Sequence, residues 1–128
     1  MYQRALQGKE KALGPDHTST LNTVHNLGIL YANQGRLGEA EAMYQRALQG
    51  KEKALGPDHT MTLDTVHNLG VFYEKQGRLG EAETMYQRAL SGYQTALGTS
   101  YWKSERTLEK IQALQQLKGA VSPSNDQW

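Results

Sequence analysis

The sequence predicts an all-α fold, an array of antiparallel helix pairs with about six helices, and two observations carry that prediction. The first is self-similarity: shifted by 42 residues, residues 1–42 and 43–84 agree at 35 of 42 positions, and residues 1–18 and 43–60 are identical. The second is that each copy carries apolar residues at helical spacing between Gly and Pro breakers. Units of this kind bury their apolar faces against their neighbours rather than in one central core. The composition fits that economy, with 38% hydrophobic residues, one Phe and two Trp in 128 residues.

Taken in order, residues 1–14 form a half repeat, 15–56 and 57–98 two full repeats, 101–118 a capping helix and 119–128 a disordered tail. Residues 1–13 stand in the register of a second helix without its first. The chain therefore begins mid-repeat and reads as the C-terminal piece of a longer protein. The first helix of the full unit spans about Thr20 to Gln34, with Val24, Leu27, Leu30 and Tyr31 on one face and a copy at Thr62 to Gln76. Asp16, Thr18 and Ser19 offer side chains to cap its start, and Gly35 stops it. The second helix spans about Leu37 to Ala54, with Ala40, Met43, Tyr44, Ala47 and Leu48 inward and a copy at Leu79 to Ala96. Leu55-Gly56-Pro57 ends it, because Pro disfavours helix in the residue before it. Lys51 and Lys53 fall in its last turn, where positive charge suits the helix dipole. Gly28 and Gly70 lie mid-helix, where Gly costs about 1 kcal/mol relative to Ala, so a close helix crossing is expected there.

A third copy opens at Met85 and fades after Gly98. In residues 101–118 Gln112 replaces Gly28 and Gln115 replaces Tyr31, so no further helix need pack there. Tyr101 and Trp102 are expected to cover the last junction, with Lys103, Glu105, Arg106, Glu109 and Lys110 on a polar outer face, as a cap requires.

Leu27-Gly28, Tyr31, Gly35, Ala40, Tyr44 and Ala47 resemble the tetratricopeptide (TPR) pattern in order and spacing, and the set recurs at Leu69-Gly70, Tyr73, Gly77, Ala82, Tyr86 and Ala89. The 42-residue period and Ala54-Leu55-Gly56-Pro57-Asp58-His59 are similar to the kinesin light chain and nephrocystin type, and to the C-terminal repeats of fungal NLR-type receptors. Val24 and Val66 stand where that pattern usually has Trp, and Thr18 and Thr60 where Pro often follows the loop His. The resemblance implies a right-handed superhelical TPR solenoid. It also implies a protein–protein interaction module whose first helices line a concave groove for a peptide of a partner. Carried over, the groove residues are Asn22, His25, Asn26, Ile29 and Asn33, then Asp64, His67, Asn68, Val71 and Lys75. Asn26 and Asn68 are the expected ligands of a peptide backbone, since an amide offers both donor and acceptor. The alternative is a structural element of a larger receptor, self-associating as a homo-oligomer through residues 1–13 by way of Tyr2, Ala5 and Leu6.

The two full units differ at Ser19/Met61, Asn22/Asp64, Ile29/Val71, Leu30/Phe72, Ala32/Glu74, Asn33/Lys75 and Ala42/Thr84. Most of these fall in the first helix, the pattern of a recognition surface varied on a fixed scaffold. Fourteen basic and 13 acidic residues are interspersed for a net charge of +1, which argues against nucleic acid as a partner. Lys9-Glu10-Lys11 and its copy read as a solvated face. No run of about 18 apolar residues is present for a membrane, and Met1 opens directly onto a helical pattern rather than a leader. With no Cys the chain reads as cytoplasmic. His17 and His59 are a repeat apart, as are His25 and His67, rather than at ligand spacing, so neither metal nor cofactor is assigned, and the Asp16-His17 and Asp58-His59 pairs are expected to cap and pack the turn. No Ser-His-Asp set, phosphate loop or acid/base pair is visible, so the chain reads as a non-enzyme.

Overall fold

The computed structural model describes residues 2–14 and 17–121, with side chains described for 3–14 and 17–117. Among the described residues it holds six α-helices and no strand: α1 (Tyr2–Leu13), α2 (Thr18–Asn33), α3 (Leu37–Leu55), α4 (Thr60–Lys75), α5 (Leu79–Leu97) and α6 (Trp102–Val121). No described helix is long and apolar enough to cross a membrane. The chain divides into two compact units, residues 1–65 and 66–128, with the boundary inside α4.

In the first unit α2 packs on both α1 and α3. Leu21, Val24, Leu27 and Tyr31 turn inward from α2, and Ala40, Tyr44, Ala47 and Leu48 meet them from α3. The expected close crossing is present: a Cβ on Gly28 would stand 3.3 Å from the Tyr44 ring. A second close approach lies at Gly50, where a Cβ would come within 2.5 Å of Leu21. The start of α2 is capped by the histidine of the Asp16-His17 loop pair, as expected of that pair. Nδ1 of His17 accepts a hydrogen bond from the Ser19 backbone N–H at 3.1 Å, and His59 does the same for Met61. Asp16 lies outside the described residues. At the other end Gly35 takes φ +78°, and Arg36 N–H donates to Tyr31 O at 2.8 Å, closing the turn into α3. The Arg36 guanidinium then lies 4.3 Å from the Tyr31 ring centre and pairs with Glu39.

Leu6 of α1 is covered by its own chain, at 9% exposure, and so is not open for the self-association expected of it. Ala5 is exposed, and the Tyr2 side chain lies outside the described ones. The basic stretches are solvated only in part, for Lys11 and Lys53 are exposed while their neighbours are engaged. Lys9 donates to Thr23 Oγ1 at 3.0 Å, Glu10 pairs with Arg46, and Lys51 is buried at 3% exposure. The register of α1 and α3 against the following first helix places these residues inward.

In the second unit Val66, Leu69, Phe72 and Tyr73 of α4, with Ala82, Tyr86, Ala89 and Tyr93 of α5, form the core, and α6 adds Ile111 and Leu114. The Arg78 guanidinium repeats the stacking, 4.3 Å from the Tyr73 ring centre, and pairs with Glu81 at 2.7 Å. Trp102 does not cover a junction: it is 55% exposed, as Leu108 is at 39%. The first turn of α6 instead points its small Ser104 inward, where Oγ donates to Gly98 O at 2.9 Å. Helix α6 continues through residues 119–121, three residues into the expected tail. The rest of that tail, 122–128, lies outside the described residues.

Candidate interaction site

An open stripe runs along α2. Asn22, Asn26, Ile29 and Asn33 stand at i, i+4, i+7 and i+11, and all four are half or fully exposed, whereas Leu21, Val24, Leu27 and Gly28 between them are buried. That is one arc of a helix with 3.6 residues per turn. The same register on α4 gives Asp64, Asn68, Val71 and Lys75, again half or fully exposed.

The two histidines expected beside these stripes are not open. His25 is 8% exposed and His67 2%. Their register lies one residue before Asn26 and Asn68, about 100° around the helix, which turns them toward the following first helix. Nδ1 of His25 stands 3.0 Å from Thr65 Oγ1, and Nδ1 of His67 stands 3.0 Å from Thr107 Oγ1. Each ring also meets a tyrosine of the intervening helix, Tyr44 and Tyr86, with centres 5.6 and 5.3 Å apart.

Thr65 is the most loaded of these hydroxyls, because Lys51 Nζ also donates to it at 3.0 Å. Burial foremost, and then the Lys51 ammonium, lower the His25 pKa to about 4 against the opposing charge of Asp64. Burial likewise draws the Lys51 pKa below its ordinary value, again opposed by Asp64. At neutral pH His25 is therefore an uncharged hydrogen-bonding ring beside one buried cation. It stitches repeats together and offers no base to a ligand. Sequence reasoning missed these threonines, though a signal existed. Thr107 is the single residue of 102–117 that is identical to its counterpart one repeat earlier.

Of the seven differences between the units, those at 22/64, 29/71 and 33/75 fall on the open stripes. Two others serve packing. Phe72 is buried against Tyr73, with ring centres 5.8 Å apart, and Glu74 accepts the Tyr86 hydroxyl at 2.7 Å. Burial and Glu74 together push the Tyr86 pKa well above its ordinary range, so its phenol stays protonated. Among the described residues no three His, Asp or Glu side chains gather as they would around a metal.

A tetratricopeptide repeat family model matches residues 1–53 and 22–95. The crystal structure of BtubC (BKLC) from P. vanneervenii superposes with a TM-score of 0.67 at 18% sequence identity, covering 92% of this chain and 55% of that one. This chain thus spans about half the length of that structural relative, and the likeness is one of fold. No curated protein matches it. With helix pairs, crossing glycines and capped turns in the order the family pattern requires, the chain belongs to the tetratricopeptide repeat family.

Proposed function

We propose that the open stripe of α2 and that of α4 each bind extended peptide of a partner protein, as part of the protein–protein interaction role that tetratricopeptide repeats generally serve. The observation that carries this reading is the coincidence of exposure and variation. The stripe positions are open, while the residues framing them are buried and repeat almost unchanged. Asn26 and Asn68 are the expected backbone ligands, and Asn22, Ile29, Asn33, Asp64, Val71 and Lys75 set side-chain preference. His25 and His67 hold the helices that carry them. The reading includes no catalytic step.

A displayed library of random dodecapeptides selected on the protein tests it. Selected peptides should lose at least tenfold in affinity for the Asn26→Ala/Asn68→Ala double variant, whose far-UV spectrum and melting should be unchanged. Peptides that bind both proteins equally would sink the proposal. Self-association through residues 1–13 draws less support, because Leu6 is occupied within the chain and Ala5 alone is a small apolar contact. A mass that rises in light scattering over a hundredfold concentration range, and falls back in Leu6→Asp, would restore it.

A further inference from the structure

Two buried threonines each meet a histidine, and the hydrogen bonds run in opposite directions. A hydroxyl has one proton to give. Thr107 Oγ1 donates its proton to Lys103 O at 2.8 Å, so in its 3.0 Å contact with His67 it accepts. His67 therefore carries a proton on Nδ1. Thr65 is placed otherwise. Its Oγ1 accepts from the Lys51 ammonium at 3.0 Å. For its own proton it has Met61 O at 3.5 Å, the outer limit of a hydrogen bond, or Nδ1 of His25 at 3.0 Å. The nearer acceptor takes it, so His25 receives at Nδ1 and holds its own proton on Nε2.

The direction decides what a further proton does. A protonated imidazole donates from both nitrogens. At Thr107 the bond stays as it is, because His67 already donates there. At Thr65 the bond has to reverse. Nδ1–H of His25 and the Lys51 ammonium then aim at one oxygen, each 3.0 Å from it, and the hydroxyl proton is left with the long contact to Met61 O. The surroundings supply one counter-charge. Lys51 and the Tyr44 ring face His25 from α3, and Asp64 faces it from α4. Helix α1 commits Lys9 to Thr23 and Glu10 to Arg46. Asp64 is half-buried and acts on both His25 and Lys51. A single carboxylate does not answer two cations held away from water.

We propose that the contact of His25, Thr65 and Lys51 is an acid-operated latch, in which protonation of His25 releases the start of α4, residues 60–65, from α2 and α3, while the contact of His67 with Thr107 stays shut. The latch lies within the first unit, needs no ligand and does not depend on the peptide reading. The closed form takes the proton only near pH 4, whereas an opened imidazole takes it near its ordinary 6.5. Opening is therefore favoured progressively as the pH falls below 6.5.

The test uses the full chain, isotope-labelled for nuclear magnetic resonance. Imidazole nitrogen spectra at pH 7 read the two tautomers directly, and should show the acceptor signal at Nδ1 of His25 and at Nε2 of His67. The same tautomer at both overturns the proposal. Amide exchange, corrected for its intrinsic pH dependence, is then followed from pH 7 to about pH 4.5. The amides of Leu63 to Thr65 should lose at least tenfold more protection than those of Thr107 to Glu109. Lys51→Met removes the second cation, so it should reduce that difference several-fold. His25→Gln has no proton to take and should abolish it. Equal loss at the two sites would mean ordinary acid unfolding and overturns the latch, as does an unchanged difference in Lys51→Met. If a variant fails to fold, the tautomers and exchange of the parent chain still decide.

Discussion

The junction at Thr65 and the junction at Thr107 are the same device built with different neighbours. In each, a buried threonine on a first helix meets Nδ1 of a histidine one repeat earlier, at 3.0 Å. At Thr65 the third member is Lys51, whose ammonium donates to the hydroxyl. The residue one repeat after Lys51 is Tyr93, fully buried, with the Lys103 ammonium 5.9 Å from its ring centre. Histidine and threonine are thus the constant of the junction, and the cation is dispensable. A buried ammonium brings desolvation with it and is tolerated where a hydroxyl and the Asp64 charge answer it. An aromatic ring fills the equivalent place without that cost.

The sharpest way to break this comparison is to remove each hydroxyl in turn. Thr65→Val leaves a buried ammonium without its acceptor and should cost about 3 kcal/mol in urea unfolding at pH 7. Thr107→Val removes a neutral partner only, and should cost about 1 to 2 kcal/mol. Equal losses at the two sites would mean that Lys51 contributes nothing to the difference.

Acid should separate the junctions next. The His25 pKa falls from 6.5 to about 4 on folding, so the unfolded chain binds the proton more readily. The stability contributed by neutral His25 is therefore full above pH 6.5 and is lost as pH falls toward 4. The total is on the order of 3 kcal/mol. Urea midpoints measured from pH 7 to pH 4 should decline, and less steeply in Lys51→Met, since the lysine charge is one cause of the shift. An identical slope in that variant would remove Lys51 from the account.

The crossing glycines sharpen the contrast between the units further. A Cβ on Gly70 would stand 2.7 Å from the Tyr86 ring, which its bond to Glu74 holds in place, whereas one on Gly28 would stand 3.3 Å from Tyr44. Gly70→Ala should lose about 2 kcal/mol, and Gly28→Ala less than about 1, because the gain in helix propensity offsets the milder crowding. Thermal melts would check the order, and Gly70→Ala/Glu74→Ala should recover part of the loss. The smallest effect belongs to Lys51→Met at pH 7, within about 1 kcal/mol of the parent, because an apolar side chain of similar length leaves the bond between His25 and Thr65 intact.

What could be read early is instructive in its particulars. Gly28 and Gly70 announced a close crossing because glycine is disfavoured in mid-helix and needs a reason to be there. Gly50 stands mid-helix too, but so does Gly8, where a Cβ would meet nothing within 4 Å, so on the second helices a glycine alone does not tell which approach is close. The family resemblance placed His25 and His67 on the groove. A residue at the border of a helical face goes to one side or the other according to what the next helix offers it, and here that was a threonine hydroxyl.

By itself the sequence determined the repeat, its period, the helix pairs and their breaks, because periodicity and Gly-Pro punctuation are local properties of the chain. The resemblance singled out Asn22, Asn26, Ile29 and Asn33, and their exposure agrees with helix geometry once the inward face is known. The tertiary structure alone decided that Lys51 and His25 share a hydroxyl, that Leu6 is covered, and that Trp102 stands exposed. Those outcomes depend on which side chains from separate helices arrive at one point, and burial is a property of that meeting rather than of any segment.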